Sequence, residues 1–307
     1  MITLINLFRN RNFLLILSIL LGLFIGNEAR WTKPFVLPAL ALVMTISILG
    51  IPSSIFRSPR VFLRPTLVGL VMNYGLLSGL IFFLNTLLIQ DPSLNTGFIL
   101  VLAVPPAVAV IPFTMLLKGE GPYSLIATIG CYLGALILMP LITVILLGPE
   151  FVDLRKVILI MVELIIIPLI ISRFLRWMEF SEKIEPYKGM VTNWGFFLIN
   201  YTMVGLNRSA FLNHPLELAP VAMIGLASTF LIGYGIQKIG LLFRVEPKKL
   251  ISIILLGSQK NTGLAAGLAI TLFNEQTALP ATVSTIFMIF YFIWLSMQTT
   301  GLNRKNR

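Results

Sequence analysis

Ser258, Gln259, Lys260, Asn261 and Thr262 stand in a row inside the stretch ILLGSQKNTGLAAG, with apolar residues on both sides. Two amides, two hydroxyls and an ammonium at successive positions supply donors and acceptors for an ion or a polar solute. On a regular helix, five consecutive residues at about 100° each encircle the axis, so an intact helix would turn some of them toward an apolar environment. Gly257, Gly263 and Gly267 bracket the run, and the pattern predicts an unwound break with free backbone groups beside the side chains. The stretch AVPPAVAVIP repeats the theme by placing Pro105, Pro106 and Pro112 in another apolar run. Each proline lacks an amide hydrogen and obstructs the carbonyl one turn earlier, which frees backbone acceptors there. Broken helix ends offer amide donors to anions and carbonyl acceptors to cations.

The elements that carry these breaks must lie in a bilayer. The chain has 307 residues, 57% hydrophobic and only 11% charged, with a mean hydropathy of +0.94. Apolar runs of spanning length recur from end to end, which excludes a soluble globular domain. Ten spans are expected near 13–27, 34–54, 65–89, 96–117, 122–147, 156–175, 189–206, 217–242, 249–273 and 277–300. The first is read as a retained helix and not a signal peptide, because NEARWTK after it carries no small-residue cleavage site. The lone Cys131 excludes an internal disulfide framework and a zinc site built on several thiolates. Of the 23 Lys and Arg, only Arg30, Lys33, Arg155, Lys156 and Arg208 fall on the outer side when the N-terminus is inside, and seventeen fall on the inner side. That bias puts both termini in the cytoplasm and makes the net charge of +11 a topology signal, with no nucleic-acid partner required.

The linker near 148–153 divides the chain into halves of five spans, 1–150 and 151–307. An odd number of crossings makes the second half enter from the opposite side, the condition for inverted repeats. Both breaks occupy the fourth span of their half. Unpaired backbone groups cost several kcal/mol each in hydrocarbon, so protein or a wet cavity must satisfy them at both places.

At these residues the chain resembles the bile acid:sodium symporter superfamily. The resemblance rests on PPAVAVIPFTMLLKGEGPYSLIATIG, the following ALILMPLITVILLG, and GSQKNTGLAAGLAITLF. It implies an all-α integral membrane fold of ten helices in two inverted repeats, with broken helices crossing at spans four and nine. It also implies a core of spans 3–5 and 8–10 that moves against a panel of spans 1, 2, 6 and 7. The family's sodium ligands carry over unevenly. Its span-five pair is matched by Ser124 and Thr128, but its span-four Ser-Asn pair falls on Val110 and Ile111. The sodium-binding carboxylate falls on Leu256 and a glutamine on Lys260; the span-three glutamine is matched by Asn73, and Asn261 and Thr262 fit directly. A site that loses a carboxylate and two oxygen donors while gaining an ammonium is a poor sodium site, and Lys260 is expected in the cation's place.

Lys260 lies about eleven residues into span nine and Glu163 about seven into span six, so at 1.5 Å per residue both come near the midplane. The expectation is that they meet, or face each other across the cavity between core and panel. The function expected is alternating-access transport of a small organic anion, not coupled to sodium and linked to protons through Lys260. The alternatives are a sodium-coupled anion symporter with rearranged ligands and a non-transporting sensor or channel on the same fold. An enzyme is not expected, because H-E-x-x-H, G-x-S-x-G and phosphate-loop patterns are absent and no close carboxylate pair lies in the spans. A lysine-linked chromophore protein is disfavoured by ten spans and a glycine-rich setting for the lysine. Neither a cofactor nor a resident metal is expected.

Overall fold

The computed structural model describes residues 10–49, 59–150, 153–213 and 215–305, with side chains described to 298 and from 62 in the second segment. Residues 50–54 of the expected second span, and Arg9, Arg57 and Arg307 of the charge count, lie outside the described residues. In chain order the main helices are α1 (Arg11–Ile25), α2 (Val36–Leu49), α3 (59–88), α4 (Pro92–Ala103), α5 (Val110–Leu116), α6 (Gly121–Leu147), α7 (154–177), α8 (Lys188–Leu206), α9 (219–242), α10 (Pro247–Ser258), α11 (Thr262–Leu272) and α12 (Leu279–Lys305). No strand forms among the described residues beyond one isolated bridge. Three helices contain a widened π turn: Val71–Leu77 in α3, Val162–Ile166 in α7 and Ala227–Leu231 in α9.

Six helical stretches among the described residues are long and apolar enough to cross a membrane: Arg11–Leu49, Phe62–Leu88, Gly121–Leu147, Leu154–Trp177, Ala219–Leu242 and Gln276–Gln298. The first, though helical throughout, reverses direction at the short turns of 26–35. Arg11 bonds Asn193 near the start of α8, and the Tyr201 hydroxyl near its end reaches the Ile25 carbonyl, so α1 runs parallel to α8. On the way back, Thr32 meets Thr202 at 2.6 Å, and Val43 lies against Gly195. The expected first and second spans are therefore a hairpin laid on α8. Gly26 makes the tight approach possible: a Cβ there would lie 2.5 Å from the Gly205 Cα, and small residues let helix backbones come this close.

The fourth and ninth expected spans fall below spanning length because each is cut in two, into α4 and α5 and into α10 and α11. Loop contacts sort the molecule into two ends. At one, Arg173 donates to the Ile48 carbonyl at 2.8 Å and the Glu120 amide to the Lys248 carbonyl at 3.0 Å. At the other, Lys33 pairs with Glu275 at 3.7 Å, Gln276 reaches Asp91 at 3.3 Å, and Arg208 bonds Asn27. Each contact joins groups that the charge count assigns to the same side of the membrane.

Candidate functional site

The break between α4 and α5 follows from missing amides. Val104, which precedes Pro105, is extended at φ −72° and ψ 154°, as a residue before proline prefers. In a continuous helix the amide of residue 106 would bond the carbonyl of Leu102; Pro106 has none, so that oxygen is free for other donors. Between α10 and α11, Gln259 is extended at φ −126° and ψ 107°, which leaves the Leu256 carbonyl without its helical partner. The two unwound segments then pair with each other. The Ala107 amide donates to the Gln259 carbonyl at 3.1 Å, the Asn261 amide to the Pro105 carbonyl at 2.9 Å, and Pro106 and Lys260 form an antiparallel bridge. Much of the backbone bonding that each helix loses is thus recovered from the other.

Lys260 sits at this pairing, only 2% exposed. Its Nζ donates to Asn73 Oδ1 at 2.8 Å, to the freed Leu102 carbonyl at 2.9 Å and to the Val104 carbonyl at 2.8 Å, and lies 4.5 Å from the centre of the Tyr74 ring. An ammonium has three N–H groups, and all three are used on neutral oxygens. Asn73 is aimed by the π turn of α3, and its other amide atom donates to the orphaned Leu256 carbonyl at 3.0 Å. Ser78 completes the cage by donating to the Leu102 carbonyl at 2.7 Å. Asn261 caps α11 by accepting from the Leu264 amide at 3.1 Å and donates to the Tyr132 hydroxyl at 2.7 Å. Thr262 is paired with Thr285 at 2.7 Å, and Ser258 folds back on the Ile254 carbonyl at 2.7 Å.

The other expected site residues are placed less uniformly. Ser124 is buried and bonded to Thr114 at 2.7 Å, whereas the buried Thr128 hydroxyl has no partner. Pro112 lines a cavity, Gly257 faces Ile236 and Met72, and Gly263 faces Leu40. Glu163 does not meet Lys260. It is exposed, in the π turn of α7, and no ion pair links the two among the described residues. Equal depth in the membrane fixed their level but not the face of the helix on which each stands. Gln259 has both amide atoms buried and without a partner, at 0% exposure.

Besides a void of about 10 Å³ against Ser258, Lys260 and Thr262, two cavities lie at or near the crossing. The smaller, about 60 Å³, is lined by Gln259, Lys260, Asn261, Thr262 and Asn200. The larger, about 650 Å³, lies between α1, α2 and α8 on one side and α5 and α6 on the other, with Arg11, Ser47, Glu185, Lys188 and Thr192 as polar lining groups. Phe113 stands between them: it lines the smaller cavity, stacks on Phe292 at 3.6 Å and carries the Arg11 guanidinium 4.8 Å above its ring. Sequence reasoning missed Arg11, Tyr74 and Tyr132 as site residues. Arg11 read as one more inner-side charge; the aromatic residues gave no signal beyond Tyr74 being next to Asn73.

With this geometry in view, two comparisons bear on the chain. Residues 12–300 match the SBF-like CPA transporter family. The chain is also 24% identical over 281 residues, 88% of this chain and 68% of the relative, to a protein of Arabidopsis thaliana described as probable sodium/metabolite cotransporter BASS1, chloroplastic.

Proposed function

Because the chain belongs to the SBF-like CPA transporter family, membrane transporters and not enzymes, we propose that it carries a small organic anion by alternating access with Lys260 standing where a coupling sodium would bind. The observation that carries this reading is the ammonium of Lys260 with all three N–H groups on Asn73 Oδ1 and the carbonyls of Leu102 and Val104, where the two broken helices pair. A sodium ion placed there would face a tethered positive charge that already holds the available oxygens. The name of the Arabidopsis relative assigns sodium to that protein; this chain has Val110, Ile111 and Leu256 where the superfamily's sodium ligands would fall.

The reading includes ten crossings in two inverted repeats, 1–150 and 151–307, with both termini cytoplasmic and a core of spans 3–5 and 8–10 moving against spans 1, 2, 6 and 7. Three features support the repeat. The helix breaks fall in the fourth and ninth spans, two of the three π turns occur in the third and eighth with the other in the sixth, and loop contacts sort by predicted side. A proton acts at the same place. A neutral amine would turn a lone pair toward one of three acceptors, so the charge on Lys260 and the integrity of the crossing are linked.

The test is the thermal midpoint of purified protein in sodium chloride and in choline chloride at matched ionic strength from pH 5 to 9. Anything that binds the native state stabilises it by mass action. No sodium-specific shift is expected. A sodium-specific rise would overturn the reading in favour of a sodium symporter with rearranged ligands.

A further inference from the structure

We infer that Arg11 recognises the charged end of the transported solute, and that this end is a single carboxylate. The assignment rests on reading the chain as an organic-anion transporter. Among the described residues Arg11 has one hydrogen bond, from Nε to Asn193 Oδ1 at 3.1 Å, and its guanidinium carbon lies 4.8 Å from the centre of the Phe113 ring. No carboxylate pairs with it among the described residues, and its two terminal nitrogens have no protein partner there. A guanidinium held at Nε beside an aromatic ring keeps its planar fork free, the geometry that grips a carboxylate through two parallel bonds.

Arg11 lines the cavity of about 650 Å³, a size that accepts a drug-like molecule. Around it the wall is formed largely by Ile46, Ile111, Pro112, Met115 and Leu125, so the body of the solute is apolar. The other cation of the cavity, Lys188, is already paired with Glu185. One unpaired positive charge in an apolar cavity selects a monoanion over a dianion. It also explains Asn193: the amide oxygen holds Nε without neutralising the charge, as a carboxylate would.

The probes are 4-phenylbutyrate, its neutral amide 4-phenylbutyramide, and the dianion phenylsuccinate, read by thermal midpoint against concentration in the full-length detergent-purified protein. The acid is expected to raise the wild-type midpoint, with the amide and the dianion at least about tenfold weaker. Arg11→Met should weaken the acid by about tenfold or more, and Arg11→Lys, which keeps the charge but loses the fork, by less. Glu185→Gln releases Lys188 and should tighten phenylsuccinate severalfold. Equal shifts by acid and amide, no shift by the acid, or an unchanged acid affinity in Arg11→Met overturns the assignment. Should Arg11→Met fail to fold, Arg11→Lys and Glu185→Gln decide it: wild-type affinities in both overturn it. The sodium series separates the two readings. A failed Arg11 series with a sodium-indifferent wild type removes only this assignment, whereas sodium stabilisation removes the coupling argument.

Discussion

Replacing Lys260 by Met keeps an unbranched side chain of similar length and removes the ammonium. Three charge-assisted hydrogen bonds disappear, each worth about 1.5–3 kcal/mol, so the gross loss is about 5–9 kcal/mol. Against that stands the relief of no longer holding a charge in the bilayer interior, about 3 kcal/mol on the lower estimate. The net expectation is destabilisation by about 2–6 kcal/mol, or a fall in Tm on the order of 5–20 °C. Asn73 Oδ1 and the Leu102 and Val104 carbonyls would remain as an oxygen-lined vacancy. Sodium can then enter, and at a hundred times its dissociation constant it would return about 2.7 kcal/mol. The assay is differential scanning fluorimetry of wild type and Lys260→Met, each in sodium and in choline chloride. A variant as stable as wild type would show that the three bonds contribute nothing net. A variant that is destabilised yet blind to sodium would show that the cage is not a cation site.

Gln259 leads to the opposite sign. A buried amide without a partner costs about 1–3 kcal/mol, so Gln259→Met should stabilise the protein by that amount, and a lower Tm would show that the amide has a partner after all. Orientation is checked by introduced cysteines, read against the wild type with its buried Cys131: on intact cells a membrane-impermeant maleimide should label Gln276→Cys and spare Glu185→Cys, and the reverse pattern would invert the topology.

The breaks were legible in the sequence because they are written in backbone chemistry. Pro105 and Pro106 remove amides wherever they stand, and five polar residues in a row conflict with any single buried helix face. The partners of Lys260 were not legible for a related reason. Two of its three acceptors are main-chain oxygens of Leu102 and Val104, whose side chains are apolar and give no sign of polarity. The expected meeting of Lys260 and Glu163 failed because counting residues along a helix gives depth, while azimuth depends on packing and on π turns such as the one that carries Glu163 itself. Arg11 shows a third limit. A basic residue at the first turn of a span serves topology so commonly that its second role becomes visible only when Asn193 and Phe113, from distant parts of the chain, are seen to hold it.

A tethered cation changes the energetics of a transport cycle. Sodium can leave with the solute, but Lys260 stays, and its three partners carry no formal negative charge to offset it. A bound monoanion offsets one of the two positive charges, Arg11 and Lys260, so the empty carrier is the more strongly positive of the two. Moving an uncompensated charge across the membrane field costs about 2.3 kcal/mol per 100 mV for a full traverse, and holding it in low dielectric adds more. Return of the empty carrier is therefore the slow step unless Lys260 releases its proton, and exchange of one anion for another avoids that step. In proteoliposomes, preloading with unlabelled 4-phenylbutyrate should accelerate uptake of the labelled acid severalfold over empty vesicles, with an inward sodium gradient having no effect. Lowering the external pH should stimulate net uptake while leaving exchange nearly unchanged, because only net uptake needs the empty return. Uptake indifferent to preloading would mean that the positive charge does not hinder the empty carrier, and the argument from Lys260 to mechanism would fail even if its place in the cage stood.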